Sequence, residues 1–222
     1  MSLEPRGFTC RGPKKKVRMK EFLKTTEIID WDSPAVFAKA KELSKLATNQ
    51  QEIARSCFEW VRDQIQHSAD FRRDPVTCRA SDVLAVGTGY CYAKSHLLAA
   101  LLRANGIPAG FCYQRLSVDD RGAPYSLHGF NAVHLPEVGW YRMDARGNKP
   151  GVDAQFNPPL ESLAFHLNFP EERDFPEVLA NPLTVVVSAL RRYSNWEDLY
   201  RNLPDWELPS LTTWTGAFES DA

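Results

Sequence analysis

The stretch from Cys91 to Ala104 restricts the fold of this chain more than any other part of the sequence. It reads Cys-Tyr-Ala-Lys-Ser-His-Leu-Leu-Ala-Ala-Leu-Leu-Arg-Ala, is rich in strong helix formers, and is followed by Gly106, which is placed to end a helix. Apolar residues lie on most sides of this predicted helix, which indicates a buried helix rather than a surface one. We therefore expect a fold built around one central helix.

The composition is typical of a globular protein and argues against several functional classes. The 222 residues are 43% apolar and 25% charged, with a formal net charge of −1, and this length suffices for one core. The basic bias of a nucleic-acid-binding protein is absent from the sequence. No apolar run reaches transmembrane length, and the first residues lack the apolar middle of a signal peptide. We therefore expect no nucleic-acid partner, no membrane partner and a cytoplasmic location.

The five cysteines favour free thiols over a disulfide framework or a zinc site. They are Cys10, Cys57, Cys78, Cys91 and Cys112, and no two of them form a CxxC pair. The sequence also lacks a calcium loop of the EF-hand type. We therefore predict no metal and no cofactor. The remaining question is whether one of the five thiols is placed to act as a nucleophile.

Local patterns divide the chain into a flexible leader over 1–18, one domain over 19–208 and a loose tail over 209–222. Helices are predicted from Ser33-Pro34, over about 50–66, from a Ser81 cap through 86, from Asn181-Pro182 to about 193, and over 196–203. Strands are predicted near 110–116, 128–135 and 140–146, and a polar loop over 67–77. Helices, then a buried helix, then antiparallel strands indicate an α+β fold with the buried helix packed on an antiparallel β-sheet.

Cys91 lies where a glycine-rich turn becomes the central helix. The free N–H groups and the dipole of a helix N-terminus favour a thiolate, and Gly89 allows the backbone to turn tightly before it. The backbone N–H of Cys91 would also point to where an oxyanion forms. These features suit a nucleophile. The alternative is a small core residue, and the Gly-x-Cys pattern alone does not separate the two.

A cysteine nucleophile needs a base and a residue that orients the base. His128 begins a predicted strand, and Asp144 ends the next one. Side chains alternate faces along a strand, so a three-residue turn at 135–137 or 136–138 would place His128 opposite Asp144 or one diagonal step away. A four-residue turn without a bulge would put the two residues on opposite faces of the sheet.

Two other histidines are rivals for the role of base. His134 shares a face with His128 but lies roughly 20 Å further along the strand, so one site cannot use both residues. The same distance argues against a metal pair. His96 follows Cys91 by five positions on the same helix, which favours a structural role.

Several nearby residues are candidates for lining a cleft. His67 and Asp70 precede the central helix, although a solvated loop is the alternative. Tyr90 is adjacent to Cys91. Arg146 and Lys149 follow Asp144 and either bind a substrate carboxylate or are surface charges.

These motifs resemble the transglutaminase-like superfamily, a papain-like group, over roughly residues 81–146. That family shows Gly-x-Cys at a helix start, a Leu/Ala-rich helix ending in Gly-Ile-Pro-Ala, then His-Ala-Trp and, after a hairpin, Gly-Trp and Asp. The corresponding pieces here are Gly89-Tyr90-Cys91, Gly106-Ile107-Pro108-Ala109, His128-Gly129-Phe130, Gly139-Trp140 and Asp144. Phe130 replaces the usual Trp, Asn131-Ala132 replaces the common apolar–acidic pair, and Asp144-Ala145-Arg146 replaces Asp-Pro-Thr.

The resemblance implies a bacterial-type single-domain member with a papain-like fold and acyl-transfer chemistry. In that chemistry Cys91 attacks an amide carbonyl, His128 protonates the leaving amine, and Asp144 fixes the tautomer of His128. An upstream aromatic shapes the oxyanion pocket in some members, a role open to Trp60, although its helical spacing favours a plain core residue. The expected partner is a peptide or protein amide substrate.

Two classes of function follow from this comparison. The first is a cysteine enzyme, with peptidase or amidase activity favoured over transglutaminase crosslinking or deamidation, because crosslinking members are often larger. An arylamine N-acetyltransferase uses the same residue types but fits less well, because its Cys motif differs. The second class is a non-catalytic binding module on the same fold.

Overall fold

The structure is a computed structural model that describes residues 19–206. The predicted leader over 1–18 and the predicted tail over 209–222 lie outside the described residues. The helices are α1 (Pro34–Ser44), α2 (Gln50–Gln64), α3 (Ser68–Phe71), α4 (Ala80–Val86), α5 (Cys91–Ala104), α6 (Thr184–Arg192) and α7 (Trp196–Tyr200), preceded by a 3-10 helix, Met19–Leu23. The strands are β1 (Gln66–His67), β2 (Thr88–Gly89), β3 (Ala109–Ser117), β4 (Tyr125–Leu135), β5 (Gly139–Met143), β6 (Gln155–Asn157), β7 (Leu160–Ser162) and β8 (Arg173–Asp174).

Helix α5 is the centre of the core, as its sequence predicts. All of its residues are buried, with α1, α2 and α4 packed against it on one side and β3 and β4 on the other. Its four leucines, at 97, 98, 101 and 102, are fully shielded from solvent. Burying each such side chain contributes about 1.5–3 kcal/mol, so this helix is a main source of stability.

The main sheet is antiparallel, with the strand order β5-β4-β3-β8. Its two faces pack differently, because side chains alternate along each strand. Phe111, Tyr113, Val133 and Met143 join the main core around α5, whereas Cys112, Phe130 and Ala132 form a second, smaller cluster on the opposite face. The α+β prediction, a central helix packed on an antiparallel sheet, is confirmed.

Two predicted helix caps are wrong because distant residues supply the capping atoms. Helix α4 begins at Ala80 rather than after Ser81, and the Asp30 carboxylate accepts the Ser81 N–H at 3.0 Å. Helix α6 begins at Thr184 rather than at the predicted Asn181-Pro182, and the preceding Leu183 N–H donates to the Tyr113 hydroxyl at 3.1 Å. In both cases tertiary contacts override the local capping signal.

The predicted loop over 67–77 contains structure that the local sequence does not reveal. Strand β1 pairs in parallel with β2, and this pairing brings His67 opposite Gly89. Because Gln66 already belongs to β1, helix α2 ends at Gln64 rather than near residue 66. The Thr88 hydroxyl donates to the Gln66 carbonyl at 2.9 Å and strengthens this pairing. Helix α3 follows directly. The short two-stranded sheet therefore ties the segment from His67 onward to the turn that precedes Cys91.

Candidate active site

Cys91 is the first residue of α5, and its thiol lies in the wall of a cavity of about 850 Å³. The first N–H groups of a helix have no intrahelical partner, so this helix end presents donors and a positive dipole to the thiol. Gly89 leaves room for a tight turn before Cys91, because a Cβ there would lie 3.0 Å from the Ala93 Cβ and 3.2 Å from the Thr77 hydroxyl oxygen and would force one of them to shift. The sequence therefore folds locally so that a small thiol, in a residue that is 8% exposed, lies on the first residue of a helix.

His128 and Asp144 are brought together by the β4–β5 hairpin. The turn has three residues, because Leu135 pairs with Gly139, and this is one of the two arrangements that the sequence required. Strand β4 begins at Tyr125 rather than at His128, and Asp144 directly follows β5. Continuing the register puts the two residues one diagonal step apart, and His128 Nε2 lies 2.6 Å from Asp144 Oδ2. The geometric prediction for this pair is therefore confirmed.

The Asp144 carboxylate is fully buried and has three contacts that favour its charged form. Besides His128, it accepts the backbone N–H groups of Arg146 at 3.1 Å and Ala164 at 3.3 Å. Burial alone would raise the pKa of Asp144, but the charge of His128 and these hydrogen bonds outweigh it and lower the pKa. Asp144 is therefore a fixed anion behind the histidine.

The His128 ring is held in a cationic form. Burial is the largest single influence and lowers the pKa of His128, but the charges of Asp144 and Cys91 and the hydrogen bond to Asp144 together raise it to about 10. Phe165 packs edge-on at 5.0 Å and Phe130 stacks at 5.9 Å between ring centroids. Because Asp144 occupies Nε2, Nδ1 is the ring nitrogen left for the thiol. The arrangement suits a thiolate–imidazolium pair.

A second polar cluster lies in the wall of the same cavity, around Asp70. Its carboxylate accepts two contacts from Arg146, at 2.7 and 3.0 Å, and one from Lys149 at 2.7 Å. Burial would raise the pKa of Asp70, but the contacts with Arg146, His67 and Lys149 lower it to about 2. Arg146 and Lys149, predicted to bind a substrate carboxylate or to be surface charges, thus both bind a carboxylate of the chain itself.

His67 lies between this cluster and the nucleophile. Its ring packs edge-on against Tyr90, with centroids 5.5 Å apart, and its buried Nδ1 has no hydrogen-bond partner. Asp70 Oδ2 is 3.6 Å away, beyond hydrogen-bond range. Burial, followed by the positive charge of Arg146, lowers the pKa of His67 well below its ordinary value. His67 is therefore a neutral imidazole in the cavity wall.

Tyr90 also lines the cavity, and its hydroxyl donates to the Trp196 carbonyl at 2.5 Å. This bond ties the residue before the nucleophile to α7. Apolar and aromatic side chains line part of the remaining wall, among them Leu116, Val118, Trp196, Tyr200 and Leu203, and polar or charged side chains such as Asp120, Glu172 and Arg201 line the rest. The lining thus offers both apolar contacts and polar groups to an organic ligand.

The prediction that Trp60 helps to shape the site is wrong. Trp60 lies on α2, does not line the cavity, and contacts Lys39 of α1, whose ammonium is 5.0 Å from the ring centroid. Its helical spacing turns it toward α1 and the core, which was the alternative interpretation.

The other histidines divide between structural and cavity positions. His96 is buried and its Nδ1 lies 2.8 Å from the Cys78 carbonyl, as expected for a structural residue. His134 packs edge-on against Trp140 and lies away from the cavity wall. His166, to which the sequence assigns no partner, lines the cavity.

Lys94 and Phe165 belong to the surroundings of the site, and the sequence analysis missed both. Lys94 is fully buried on α5, and its ammonium donates to the carbonyls of Ile65 and, at 3.3 Å, of Arg62 at the end of α2. Burial lowers the pKa of Lys94 to about 7. A lysine in the first turns of a helix that is predicted to be buried is the one sequence signal that could have identified it.

Within residues 19–206 no group of His, Cys, Asp and Glu side chains has the arrangement of a metal site. In the same range, every helix is too short or too polar to cross a lipid bilayer.

Comparisons with known proteins identify related sequences and folds. A family model described as the transglutaminase-like superfamily matches residues 38–145. No curated protein matches the sequence significantly. Similar solved structures include a candidate cysteine protease from Cytophaga hutchinsonii, with 19% identity and a TM-score of 0.48 over 58% of this chain and 42% of that one.

Two further structures are similar over comparable lengths. The periplasmic domain of TgpA from Pseudomonas aeruginosa, bound to ethylmercury, has 21% identity and a TM-score of 0.43 over 57% of this chain and 48% of that one. A candidate protease from Parabacteroides distasonis has 12% identity and a TM-score of 0.38 over 63% and 30%. This chain thus spans less than half the length of each of these three proteins.

Proposed function

This chain belongs to the transglutaminase-like superfamily, and we propose that it is a cysteine-dependent enzyme that transfers acyl groups from amide bonds through a thioester on Cys91. One observation carries the proposal. His128 is bonded at 2.6 Å to a buried carboxylate and, with Cys91 at the start of a helix, lines one cavity. This combination of nucleophile, base and orienting acid is what thiol acyl transfer requires.

The proposed reaction begins with attack of the Cys91 thiolate on a substrate amide carbonyl. Carbon and sulfur form a bond, and the carbonyl oxygen takes the electron pair. The tetrahedral intermediate collapses as the carbon–nitrogen bond breaks, and the His128 imidazolium gives its proton to the leaving amine. Neutral His128 then removes a proton from water or from an acceptor amine. The deprotonated oxygen or nitrogen attacks the thioester carbonyl, and the carbon–sulfur bond breaks to release the Cys91 thiolate. Asp144 keeps the ring oriented and favours its cationic form throughout.

Two donors are suited to the oxyanion of that intermediate. The Cys91 N–H is unpaired within the helix, because it belongs to the first turn. His67 lies opposite Gly89, two residues before the nucleophile, and its neutral ring carries one N–H. A neutral donor suits this role, since it keeps its proton as the oxyanion forms and collapses.

Hydrolysis of peptide or other amide bonds is our preferred activity over protein crosslinking or deamidation. Crosslinking members of the superfamily are often larger, so this preference rests on analogy within the fold. A non-catalytic binding module is the second candidate, and it would need the cavity but not an activated thiol. Reactivity at Cys91 therefore separates the two.

An acylation assay tests the proposal. On mixing with p-nitrophenyl acetate, we expect a burst of about one p-nitrophenol per chain and an acetyl group on Cys91 by mass spectrometry, as expected for an acyl-enzyme. Added glycine amide should speed decay of the acetyl-enzyme if the enzyme transfers to amines, and leave it unchanged if the enzyme is a strict hydrolase.

The control is a second cysteine of equal exposure. Cys78 and Cys91 each expose 8% of their surface, but burial raises the pKa of Cys78 to about 11. Cys78→Ala should therefore keep the burst, whereas Cys91→Ala should abolish it. Equal acetylation of both cysteines in the folded wild type would favour the binding module instead.

A further inference from the structure

We propose that Arg72 and Lys149 form an anion subsite beside Cys91 that accepts a carboxylate of the substrate. The inference extends the proposed function, because it assigns the substrate a negative charge close to the amide that Cys91 attacks. Arg72, Lys149 and Cys91 all line the same cavity.

The charges around Asp70 leave a positive excess in this wall. The Asp70 carboxylate is shared by Arg146 and Lys149, and Arg72 has no acidic partner among residues 19–206. Three cations thus face one anion. His67, the remaining titratable neighbour of Asp70, is neutral because burial disfavours its charged form.

The other acidic residues of the cavity wall are Asp120, Glu172 and Glu197; Glu197 pairs with Arg201, and Glu172 accepts the backbone N–H groups of Ser117, Asn168 and Phe169. The positive excess is therefore confined to the part of the wall around Asp70, and a substrate carboxylate would meet it there.

Arg72 has a backbone conformation that a side-chain-bearing residue seldom adopts. It ends α3 with φ 50° and ψ 52°, the left-handed region that favours glycine or asparagine. Its guanidinium lies 6.0 Å from the centroid of the Trp196 ring, and both residues line the cavity. A left-handed residue is a common way for a helix to end, so this conformation positions the Arg72 side chain but does not itself indicate a ligand. The observation that points to a ligand is an arginine that lines the cavity against Trp196 without an acidic partner in the described residues.

Lys149 is the mobile cation of the Asp70 cluster, and Arg146 the fixed one. The Arg146 side chain is buried and holds Asp70 through two nitrogens, whereas 42% of the Lys149 side chain is exposed. An exposed lysine–carboxylate pair contributes little energy, so Lys149 can turn to a second carboxylate at small cost. Lys149 and Arg72 would then hold that carboxylate between them, with Arg146 keeping the wall in place.

Paired alkylating peptides test this subsite separately from the reactivity of the thiol. We would compare chloroacetyl-Gly-Glu amide with chloroacetyl-Gly-Gln amide, which differ only by the charged side chain, and use iodoacetamide as a neutral reference. The thiolate forms a carbon–sulfur bond with each probe, and the halide leaves. We expect the glutamate probe to label Cys91 at least about tenfold faster than the glutamine probe, the factor for one charge-assisted hydrogen bond.

Two substitutions should remove that preference and one should keep it. Lys149→Met and Arg72→Asn, the latter chosen because asparagine tolerates the left-handed conformation, should bring the glutamate-to-glutamine ratio close to one. The ratio is taken within each variant, so a change in the overall reactivity of Cys91 affects both probes equally and does not alter it. Arg73→Met is the matched control, because Arg73 carries the same charge one residue further on but lies outside the cavity wall, and it should keep the ratio.

The outcomes separate the subsite from the activity. Fast iodoacetamide labelling with a wild-type ratio near one would overturn the subsite and leave the enzyme intact. Slow labelling by every probe would overturn the proposed function. In that case the subsite is tested by NMR titration of the Cys91→Ala variant with acetyl-Gly-Glu amide and with acetyl-Gly-Gln amide. Chemical-shift changes at Arg72 and Lys149 with the glutamate peptide alone would support the subsite, and equal changes with both peptides would refute it.

A third probe distinguishes the two sources of a carboxylate. If chloroacetyl-Gly-Gln with a free C-terminus labels Cys91 as fast as the glutamate probe does, a C-terminal carboxylate serves as well as a side-chain carboxylate.

Discussion

Two histidine–aspartate pairs lie beside the same cavity and have opposite properties. His128 Nε2 is 2.6 Å from Asp144, and the pKa of His128 is raised to about 10 although the ring is buried. His67 Nδ1 is 3.6 Å from Asp70, and the pKa of His67 is held well below its ordinary value. Burial is the largest influence on both rings, so burial does not explain the difference.

The difference comes from what else each carboxylate binds, and from Cys91, whose charge also raises the pKa of His128 and has no counterpart beside His67. Asp144 accepts two backbone N–H groups, which carry no net charge, and so its negative charge acts mainly on His128. Asp70 is already neutralised by Arg146 and Lys149, and Arg146 also repels a proton from His67. A carboxylate therefore makes a neighbouring histidine cationic only when no permanent cation competes for it. One cavity thus holds one charged and one neutral imidazole.

The largest expected effect is the contrast between Asp144→Asn and Asp70→Asn. Asp144→Asn removes the anion that keeps His128 cationic and oriented, so alkylation of Cys91 by iodoacetamide at pH 6 should slow by about 10²- to 10⁴-fold. Asp70→Asn should slow it less than about tenfold. The measurement is the second-order labelling rate by mass spectrometry. Equal losses in the two variants would remove the functional distinction between the pairs.

The second prediction concerns the pH range in which each ring titrates. By two-dimensional NMR of ¹⁵N-labelled histidine, the His128 ring should stay cationic up to about pH 10, and the His67 ring should stay neutral below its ordinary pKa of about 6.5. Because the folded-state pKa of His128 lies above its unfolded value, its contribution to stability is complete below about pH 6.5 and is lost as the pH rises through about 10.

Urea unfolding of His128→Gln checks that sign. The difference in unfolding free energy between wild type and variant should be greatest below about pH 6.5 and should shrink toward pH 10. For His67→Gln the trend should reverse, because the depressed pKa of His67 destabilises the fold as the pH falls below about 6.5. The same pH trend in both variants would refute the assignment of opposite charge states.

A smaller effect is expected from Arg146→Met, which should make the His67–Asp70 pair more like the His128–Asp144 pair. Removing the guanidinium leaves Lys149 as the remaining cation on Asp70 and removes the repulsion on His67, so the pKa of His67 should rise. The loss of the buried contact should also lower the unfolding free energy by about 1–3 kcal/mol. NMR titration measures the first change, and an unaltered pKa of His67 would show that burial alone sets it. Arg55→Met, at a half-exposed surface pair, is the matched control.

Sequence patterns predict the parts of this site that depend on short-range periodicity. The apolar character of α5 predicts its burial, and side-chain alternation with a three-residue turn predicts the His128–Asp144 contact. Both follow from the regular geometry of one helix and one hairpin. The position of Cys91 at a helix start follows from the same pattern.

The second cluster could not be predicted because it joins distant segments without a periodic signal. Arg146 and Asp70 are 76 residues apart, and the β1–β2 pairing that positions His67 involves only two residues in each strand. The cap of α4 likewise comes from Asp30, which is 51 residues away from Ser81. Such contacts depend on the whole fold, and the sequence alone left His67 and Asp70 with a solvated loop as the alternative.

An ion pair between Cys91 and His128 is the central requirement of the proposed chemistry, and one measurement tests this ion pair directly. The rate of iodoacetamide labelling at Cys91 is followed against pH by mass spectrometry in the wild type and in His128→Ala, with Cys78 as an internal reference. We predict fast labelling of Cys91 well below pH 8.5, the pKa of an ordinary thiol, and its loss in the variant. Labelling of Cys91 no faster than that of Cys78, with the same pH dependence in both proteins, would contradict the account.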